Sequence, residues 1–517
     1  MPKTDAPYPV VDLFAGPGGL GEGFASLDNG KGEARFENAV SIEKDNFSFN
    51  TLKLRHFLRT FPHGEFPEEY YKYLKSEISL DDLYENYPCN KTSAENSTLQ
   101  IALDPENHEH VRKIINERLK DRKKWVLVGG PPCQAYSLAG RSRMMGDPDF
   151  ENDIRHFLYK EYLQIIIDHS PPVFVMENVK GLLSAKVDEK HVIDRILQDL
   201  KKPKEALGEG TNDLAYKLYS LSEDDTPGSE VDPRLFLVRS EEYGVPQARH
   251  RIFILGVRED IGIKPKTLIP HKPPTLKQII DNLPHIRSGL SKGGDSLSAW
   301  RNAIKELDPV AIQAELNGHK CTGDLINKIN SVLVDESREL ERRSSKYPSR
   351  PRSKHDVFDV IYDSTLDVLI GHETRGHMPS DLRRYAFASS FADVTGRSPK
   401  LADFPKSLMP DHKNVDLGCE GKMFSDRFRV QLSGKPATTV TSHISKDGHY
   451  FIHYDPAQCR SLTVREAARI QTFPDNYKFE GPRTAQYHQI GNAVPPYLSR
   501  QIAAVIAEVL DRAGEVG

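Results

Sequence analysis

A single cysteine stands on a stiff turn in the segment GGPPCQAYS, residues 129–137. The segment follows the apolar run WVLV, so the turn closes a predicted buried strand. Proline fixes φ and donates no backbone N–H, while glycine allows another backbone to approach closely, so the chain itself restrains Cys133. A thiol held in this way suits a nucleophile better than a packing residue, and Cys133 is our first candidate catalytic group.

A second candidate site lies near the start of the chain, in the segment DLFAGPGGLGEGF, residues 12–24. It follows the predicted strand YPVVDLF and forms a glycine-rich turn into a predicted helix, a pattern that serves many nucleotide ligands. Glu43, in SIEKD, ends the next predicted strand, where an acid can bind the two hydroxyls of a ribose. These features predict a ligand that contains adenosine, and by themselves they leave a nicotinamide-dependent oxidoreductase open.

Several further motifs change this reading: after PPCQAYS come MENV (176–179), QARHR (247–251), RSLTVREAARIQTFPD (460–475) and QIGNAVPP (489–496). In this order the motifs resemble the prokaryotic type of the cytosine-5 DNA methyltransferase family. The resemblance covers about the first 260 residues, apart from an insertion, and about the last 85.

The resemblance implies transfer of a methyl group from S-adenosylmethionine to carbon 5 of a cytosine that is flipped out of a specific duplex DNA sequence. Carbon 5 is a poor nucleophile, so a thiolate must first add to carbon 6, and Cys133 is placed to do this. Glu177 would protonate or hydrogen-bond ring nitrogen 3. Arg251 resembles the guanidinium that binds the 2-oxo group, and Arg249 would help to hold the site together.

The resemblance also implies a set of cofactor contacts, carried over position by position: Phe14, Gly16, Gly18, Gly19, Glu43, Pro132, Leu158, Asn492 and Val494. The family has an aspartate at the adenine amino group, and the closest candidate in this chain is Asp104 in IALD. Lys44 stands where an apolar residue is often found, so adenine packing there is expected to differ. Asn492 also suits a helix cap before PPYLSRQIA.

Composition is compatible with these assignments. The chain has 517 residues, 38% hydrophobic and 28% charged, which is typical of a globular protein with two or more domains. A formal net charge of −4 requires that any polyanion meets a local basic patch. Five scattered cysteines without a CxxC pair argue against a disulfide framework or a zinc site. With no signal peptide or membrane helix in the pattern, we expect a cytoplasmic, nucleoid-associated protein.

The alternation of strands and helices predicts a doubly wound, Rossmann-like α/β fold with a separate, inserted target recognition domain. We expect a catalytic domain in residues 1–257, with a helical insertion at about 60–124, and a target recognition domain in 258–431. Residues 432–517 would complete the catalytic domain, with a β-hairpin in KPATTVTSHISKDGHYFIHYDP and helices in LTVREAARIQTF and PPYLSRQIAAVIAEVLDRA.

The middle region contains RRSSKYPSRPRSK, which has six cations and no acid, and we interpret it as a phosphate-binding segment; a solvated linker is the alternative. GHETRGHMPSDLRRY adds arginines that could read guanine. The candidates for DNA contact are Arg342, Arg343, Lys346, Arg350, Arg352, Lys354, Arg375, Arg383 and Arg384. His372, Glu373 and His377 do not form an HExxH motif, so we expect no metal.

The leading hypothesis is therefore a monomeric DNA methyltransferase that acts on double-stranded DNA as the modification component of a restriction-modification or phage-defence system. A cognate restriction endonuclease or defence proteins would be its partners. An RNA methyltransferase of the same architecture that modifies transfer RNA is one alternative, although the large middle domain disfavours it. A catalytically inactive DNA-binding homologue is another, and the presence of Cys133, Glu177, Arg249 and Arg251 argues against it.

Overall fold

The computed structural model describes residues 6–132, 154–187, 190–210, 213–223, 232–316, 321–335, 339–351, 353–411, 415–421 and 425–513. The candidates Cys133 and Arg352 lie outside these residues. The chain forms two compact units, here called the first and second units. The first comprises Met1–Lys272, Tyr477–Gly481 and Ala493–Gly517, and the second comprises Pro273–Asn476 and Pro482–Asn492.

The first unit is built on a mixed sheet, with eight strands among the described residues, in the order β3-β2-β1-β4-β5-β11-β8 and with β9 also paired to β11. Strands β1 to β5 are parallel along this order, whereas β8, β9 and β11 form antiparallel pairs. The strands of this unit are β1 (Tyr8–Leu13), β2 (Phe36–Ile42), β3 (Thr98–Leu99), β4 (Val126–Gly129), β5 (Val173–Val179), β6 (Lys186–Val187), β7 (Lys190–His191), β8 (Tyr216–Tyr219), β9 (Leu237–Arg239), β10 (Gln247–Ala248) and β11 (His250–Arg258).

Helices connect these strands and cover the sheet. They are α1 (Gly19–Ala25), α2 (Asn46–Leu58), α3 (Glu68–Leu74), α4 (Leu80–Asn86), α5 (Pro88–Ser97), α6 (His108–Leu119), α7 (Ile154–His169), α8 (Val192–Lys201) and α9 (Pro203–Leu207), and a later helix of this unit covers Pro496–Arg512. The runs VLV in β4 and VFVM in β5 are fully buried, as expected for parallel strands that are covered on both faces. The predicted α/β fold is confirmed.

The expected insertion at 60–124 is only partly an excursion from this fold. Helices α3, α4 and α5 are additions, but Thr98 and Leu99 form β3 and pair with Ser41 and Ile42 of β2. The strand was missed because two residues between helical stretches give no periodic signal.

The second unit is mainly helical. Its helices are α10 (Leu276–Ile280), α11 (Leu297–Lys305), α12 (Pro309–Glu315), α13 (Thr322–Val334), α14 (Phe358–Ile361), α15 (Pro379–Thr395), α16 (Val415–Cys419), α17 (Val464–Ile470) and α18 (Arg483–Asn492); the helix Pro496–Arg512 of the first unit is then α19. Its short strands are β12 (Gly289–Leu290), β13 (Gly376–His377) and β14 (Ala437–Thr438). Helices α11, α13 and α15 share one apolar core that includes Trp300, Ile329 and Phe387.

Two details of the second unit differ from expectation. The unit extends to Asn476, beyond residue 431, because buried arginines of residues 460–475 donate to main-chain carbonyls elsewhere in the unit, such as those of Ile286 and Ile370. The predicted hairpin at 435–456 is wrong: β14 has two residues, and a 3₁₀ turn follows at Ser442–Ser445. The buried side chain of Gln431 binds the N–H of Thr438 and the carbonyl of Tyr450, so a side chain satisfies the backbone here in place of a strand ladder.

Buried histidines make the second unit sensitive to acid. Burial lowers the pKa of His372 to about 4, and burial together with the charge of Arg460 lowers that of His453 to about 3. In the unfolded chain both would titrate near 6.5, so below that pH the unfolded state binds more protons than the folded state.

We predict that the free energy of unfolding falls as the pH is lowered from 6.5 to 5, by about 2 kcal/mol for each of these two histidines. Urea denaturation followed at pH 7.5, 6 and 5 measures this change. The carboxylates with lowered pKa titrate below this window, and Asp12, whose pKa burial raises to about 7, gains stability on acidification, so a net loss comes from the buried histidines. The variant His372→Gln should show a smaller loss than the parent, and equal stability of the parent at pH 7.5 and 5 would contradict the prediction.

Candidate active site

The glycine-rich turn after β1 has a backbone that few residues adopt. Phe14 has φ of 56° and Gly18 has φ of 93°, and a non-glycine residue in the left-handed region carries strain of about 1–2 kcal/mol. Gly19 is needed for a different reason, since a Cβ there would lie 2.3 Å from the carbonyl oxygen of Val494. The structure thus brings Phe14, Gly16, Gly18, Gly19 and Val494 together around one turn.

Glu43 lies beside this turn, one strand away. Its Oε2 accepts a hydrogen bond of 2.8 Å from the N–H of Gly16, and its Oε1 accepts one of 2.7 Å from the N–H of Asp45. Burial raises the pKa of the Glu43 carboxyl. Each carboxylate oxygen has a second lone pair, so Glu43 can still accept hydrogen bonds from a ribose. Lys44 is exposed.

A buried network of ion pairs holds α1, the helix that follows the turn. The guanidinium groups of Arg55 and Arg59 both bind the carboxylate of Glu22 on α1. Burial acts to raise the pKa of Glu22, but the two arginines outweigh it and hold that pKa below its usual value. Arg55 also lies 4.4 Å from the ring centre of Tyr477, whose hydroxyl donates to the carbonyl of Pro17. The sequence analysis missed this network, because nothing in the residue types marks these charges as buried.

The PPC turn begins at the end of β4. Pro131 is buried and Pro132 is partly exposed, and the side-chain amide of Asn178 donates a hydrogen bond of 3.2 Å to the carbonyl of Pro131. Asn178 belongs to the MENV motif on β5, so a hydrogen bond joins the two motifs. The structure fixes the entry to the turn, and Cys133 itself lies just past the described residues.

Glu177 and Arg251 form an ion pair across the antiparallel strands β5 and β11. The Nε of Arg251 lies 3.1 Å from Oε1 of Glu177, and both side chains are about 15% exposed. Burial lowers the pKa of Arg251, with Glu177 acting in the opposite direction. Glu177 also faces the PPC turn, because a Cβ at Gly130 would lie 3.0 Å from its Oε2.

Arg249 lies next to this pair and is 1% exposed. Burial and then the charge of Arg251 lower its pKa well below the usual value, and Glu177 opposes this shift. The structure therefore brings Glu177, Arg249 and Arg251 into one cluster beside the turn that leads to Cys133. This position agrees with a supporting role for Arg249.

The remaining cofactor candidates are more scattered. Leu158 is partly buried on α7. Asn492 is exposed at the end of α18, in the second unit, where its amide nitrogen lies 3.2 Å from Nδ1 of His488. Asp104 accepts hydrogen bonds from the backbone and side chain of Asn107 and thereby stabilises the turn that precedes α6. That local role disfavours Asp104 as an adenine contact.

Gln100 is a further candidate that the sequence analysis missed. It follows β3 directly, and the N–H of Glu43 donates to the carbonyl of Leu99, so Gln100 and Glu43 lie at the same carboxyl edge of the sheet. The Gln100 side chain is exposed and its Nε2 donates to Oδ1 of Asn46 at 3.4 Å, which leaves its Oε1 as an acceptor. Recognising β3 in the sequence would have found it.

The candidates for DNA contact fall into two groups. Arg343, Lys346, Arg350 and Lys354 are exposed. The other candidates already bind groups within the protein. Arg342 donates to the carbonyl of Thr374, and Arg375 donates to the carbonyls of Ile444 and Lys446. Arg384 donates to Asp381 and to two carbonyls, and Arg383 forms an ion pair with Glu306.

The positions of Arg375 and Arg384 correct the expectation that they read guanine. Arg375 is 8% exposed and lies 4.7 Å from the ring centre of Tyr487. Its two terminal nitrogens donate to main-chain carbonyls, so it holds loops together. Within the part of the chain that the structure describes, no group of three or more His, Cys, Asp or Glu residues could hold a metal ion. No helix of that part is long and apolar enough to cross a membrane.

Comparison with known proteins identifies this arrangement. A family model for C-5 cytosine-specific DNA methylases matches residues 97–508. This chain belongs to that family. Type II methyltransferase M.Bpa9945I of Bacillus paralicheniformis is 33% identical, over 97% of this chain and 99% of its own.

More distant relatives in the same family match with similar coverage. Type II methyltransferase M.DdeI of Desulfomicrobium norvegicum is 25% identical over 96% of this chain and 88% of its own. DNA (cytosine-5-)-methyltransferase M.ApeKI of Aeropyrum pernix is 26% identical over 98% and 99%. The predicted family and enzyme class are confirmed: the chain is a cytosine-5 DNA methyltransferase of the type II restriction-modification kind.

Membership of the family implies S-adenosylmethionine as methyl donor, and the residues present fit such a group. The glycine-rich turn brings the N–H of Gly16 to the carboxylate of Glu43, Glu43 has lone pairs for ribose hydroxyls, and Gln100 offers an amide oxygen one strand away. The donors and acceptors along this edge are those that an adenosine requires.

The two glycines before the PPC turn provide a matched test of this geometry. A Cβ at Gly130 would meet the end of the Glu177 side chain, which can move, whereas a Cβ at Gly129 would lie 2.8 Å from the carbonyl oxygen of Leu13 in β1. We predict that Gly130→Ala lowers methyl transfer tenfold or more by displacing Glu177, with little change in melting temperature.

Gly129→Ala should instead lower the melting temperature, by an amount that corresponds to about 1–3 kcal/mol of overpacking. Thermal unfolding and tritiated methyl transfer to duplex DNA measure the two effects. A Gly130→Ala protein that is as active as the parent would show that the position of Glu177 is not critical.

Proposed function

We propose that the enzyme transfers a methyl group to carbon 5 of a cytosine flipped out of a specific duplex DNA sequence, through a covalent bond between Cys133 and carbon 6. The observation that carries this proposal is the Glu177–Arg251 ion pair, held on two central strands beside the PPC turn in a chain of this family. A carboxyl and a guanidinium at this spacing can bind adjacent polar atoms on one edge of a pyrimidine.

In the proposed reaction, the thiolate of Cys133 adds to carbon 6, and the ring electrons move toward nitrogen 3. Glu177 protonates or hydrogen-bonds nitrogen 3, and Arg251 binds the 2-oxo group, so the negative charge is stabilised where it develops. Carbon 5 thereby becomes nucleophilic. Bound S-adenosylmethionine supplies the electrophilic methyl group. Loss of the carbon 5 proton then reforms the double bond and releases the Cys133 thiolate.

Arg249 would act on this site indirectly. It is buried next to Arg251 and near Glu177, so its charge helps to balance the carboxylate and keep it in place. Arg249 is in this sense a positioning residue. A preorganised carboxyl and guanidinium need no rearrangement when the ring becomes charged, and this is where we expect most of the rate enhancement to arise.

The proposed cofactor contacts are Phe14, Gly16, Gly18, Gly19, Glu43, Pro132, Leu158, Asn492 and Val494. To these we add Gln100 and Ile101, which follow β3 at the same edge of the sheet as Glu43. Glu43 would bind the ribose hydroxyls. The amide oxygen of Gln100 would accept a hydrogen bond from the adenine amino group, in place of the aspartate that we expected at this contact.

We predict that Gln100→Ala weakens S-adenosylmethionine binding about fivefold, the equivalent of one net hydrogen bond of about 1 kcal/mol. Gln198→Ala, which removes an exposed glutamine from α8 in the same unit, serves as the matched control and should bind normally. Isothermal titration calorimetry with the cofactor measures both affinities. Equal affinities of the parent and Gln100→Ala would place the adenine elsewhere.

The covalent mechanism makes its own prediction. A duplex that carries 5-fluorocytosine has no proton to lose at carbon 5, so the reaction should stop at a stable bond between enzyme and DNA. We expect mass spectrometry to locate this bond on the peptide that contains Cys133, and Cys133→Ala to form none. Glu177→Gln should lower the rate of adduct formation at least 100-fold.

Adduct formation by Cys133→Ala, or its absence from folded parent enzyme that methylates normal DNA, would contradict this mechanism. Duplex DNA and transfer RNA are compared as substrates in the same assay, because methylation of transfer RNA is the alternative function. Transfer to RNA alone would favour that alternative.

We further propose that the second unit is the target recognition domain. Extruding a base costs a few kcal/mol, which contacts to the surrounding duplex must offset, and a separate unit of about 200 residues provides surface for them. The enzyme would act as a monomer on genomic DNA in the cytoplasm, at the nucleoid. It would protect host DNA as the modification component of a restriction-modification or phage-defence system, with a cognate endonuclease or defence proteins as partners.

A further inference from the structure

The second unit contains an open cleft of about 590 Å³ that none of the catalytic groups uses. It is lined by Arg343, Ser344, Ser345, Lys346, Gly371 and Glu373, among others. Two cations and two hydroxyl groups therefore face one concave surface. Such a set of donors is suited to an anion with several acceptor oxygens.

The cleft is formed by two backbone segments, 342–346 and 368–374, which we call the cleft ribbon. Antiparallel bridges pair Arg343 with Glu373 and Lys346 with Val368. Between them the N–H of Ser344 donates to the carbonyl of His372, and the N–H of Leu369 donates to that of Ser345. The backbone that carries the two cations is thus anchored at both ends.

The floor of the cleft is also fixed. His372 is buried, and its Nε2 lies 2.8 Å from the carbonyl of Pro284; a carbonyl only accepts, so Nε2 carries the hydrogen. Its Nδ1 then accepts from the hydroxyl of Thr463 at 3.1 Å. The N–H of Arg465 donates to the carbonyl of Gly371. A ligand would therefore meet a preformed site and would lose little free energy in ordering it.

The cations of the cleft ribbon differ in whether they already have partners within the protein. Arg342 binds the carbonyl of Thr374 and lies 3.8 Å from Glu373. Arg343 and Lys346 are exposed, and neither has a carboxylate within 4.0 Å in the part of the chain that the structure describes. Two neighbouring cations without acidic partners, on a chain whose net charge is −4, mark a local site for a polyanion.

We propose that this cleft binds the phosphate backbone of the duplex DNA substrate, with Arg343 and Lys346 each neutralising a phosphate and the hydroxyls of Ser344 and Ser345 donating to phosphate oxygens. The inference rests on the proposed function, because a DNA substrate supplies the ligand. Glu373, the bridge partner of Arg343, also lines the cleft and repels phosphate, so its charge opposes binding. Contacts of this kind fix the position of the duplex without reading its sequence.

The test measures how duplex affinity depends on salt concentration. Each phosphate that a protein neutralises releases counterions and adds about 0.9 to the slope of log affinity against log salt. Replacing both cations, as R343A/K346A, should reduce the slope by about 2 and weaken binding tenfold or more near 0.1 M salt. The substitution Glu373→Gln removes the repulsive charge, and we expect it to tighten binding two- to fivefold.

The control is K328A/K406A, which removes the same net charge from the helical part of the second unit and should leave the slope unchanged. Thermal unfolding of every variant establishes that the fold is retained. An unchanged slope for R343A/K346A, or a slope that changes equally in the control, would overturn the proposal while parent binding and methylation of DNA still support the proposed function. A slope change seen only with transfer RNA would overturn it too. Absence of DNA methylation by the parent enzyme would instead refute the proposed function itself.

Discussion

A charge that is removed from water has to be paired, and the buried arginines of residues 460–475 meet this constraint with two-pronged contacts to acids. Arg460 binds Glu466 through two hydrogen bonds of 2.7 Å, and Arg469 binds Asp475 through bonds of 2.8 and 2.7 Å. All four side chains are at most 2% exposed. Removing one member of such a pair leaves an unpaired buried charge, which typically costs 3–5 kcal/mol.

These arginines also bind carbonyl groups far away in the sequence. Arg460 donates to Ile286, Arg465 to Ile370 and Arg469 to Ile279. Arg460 and the arginines of helix α17 therefore hold two loops and the end of helix α10, and one of these loops lies within the cleft ribbon. The ion pairs explain how a unit with only short strands among its described residues can still present a defined surface.

The sequence was informative wherever a function depends on a local pattern. The strand-turn-helix around Gly16 and the burial of β4 and β5 follow from short motifs, and the family resemblance implied that Glu177 and Arg251 lie near each other. It was uninformative wherever the outcome depends on distant partners. Arg375 has the residue type of a base-reading side chain, but it donates hydrogen bonds to the carbonyls of Ile444 and Lys446. Gln100 was overlooked because β3 is recognisable only by its pairing with β2. The extent of the second unit likewise depends on hydrogen bonds from buried arginines to distant carbonyls, which no periodicity reveals.

The contact between Gly19 and Val494 joins positions that are 475 residues apart in the chain. During synthesis, the turn at Gly19 lacks its packing partner until Val494 has left the ribosome. The hydroxyl of Tyr8 likewise binds Asp511, at a distance of 2.7 Å. A nascent methyltransferase of this design would thus complete the packing of its glycine-rich turn only after Val494 has been synthesised, and a chain interrupted before that point would lack this contact.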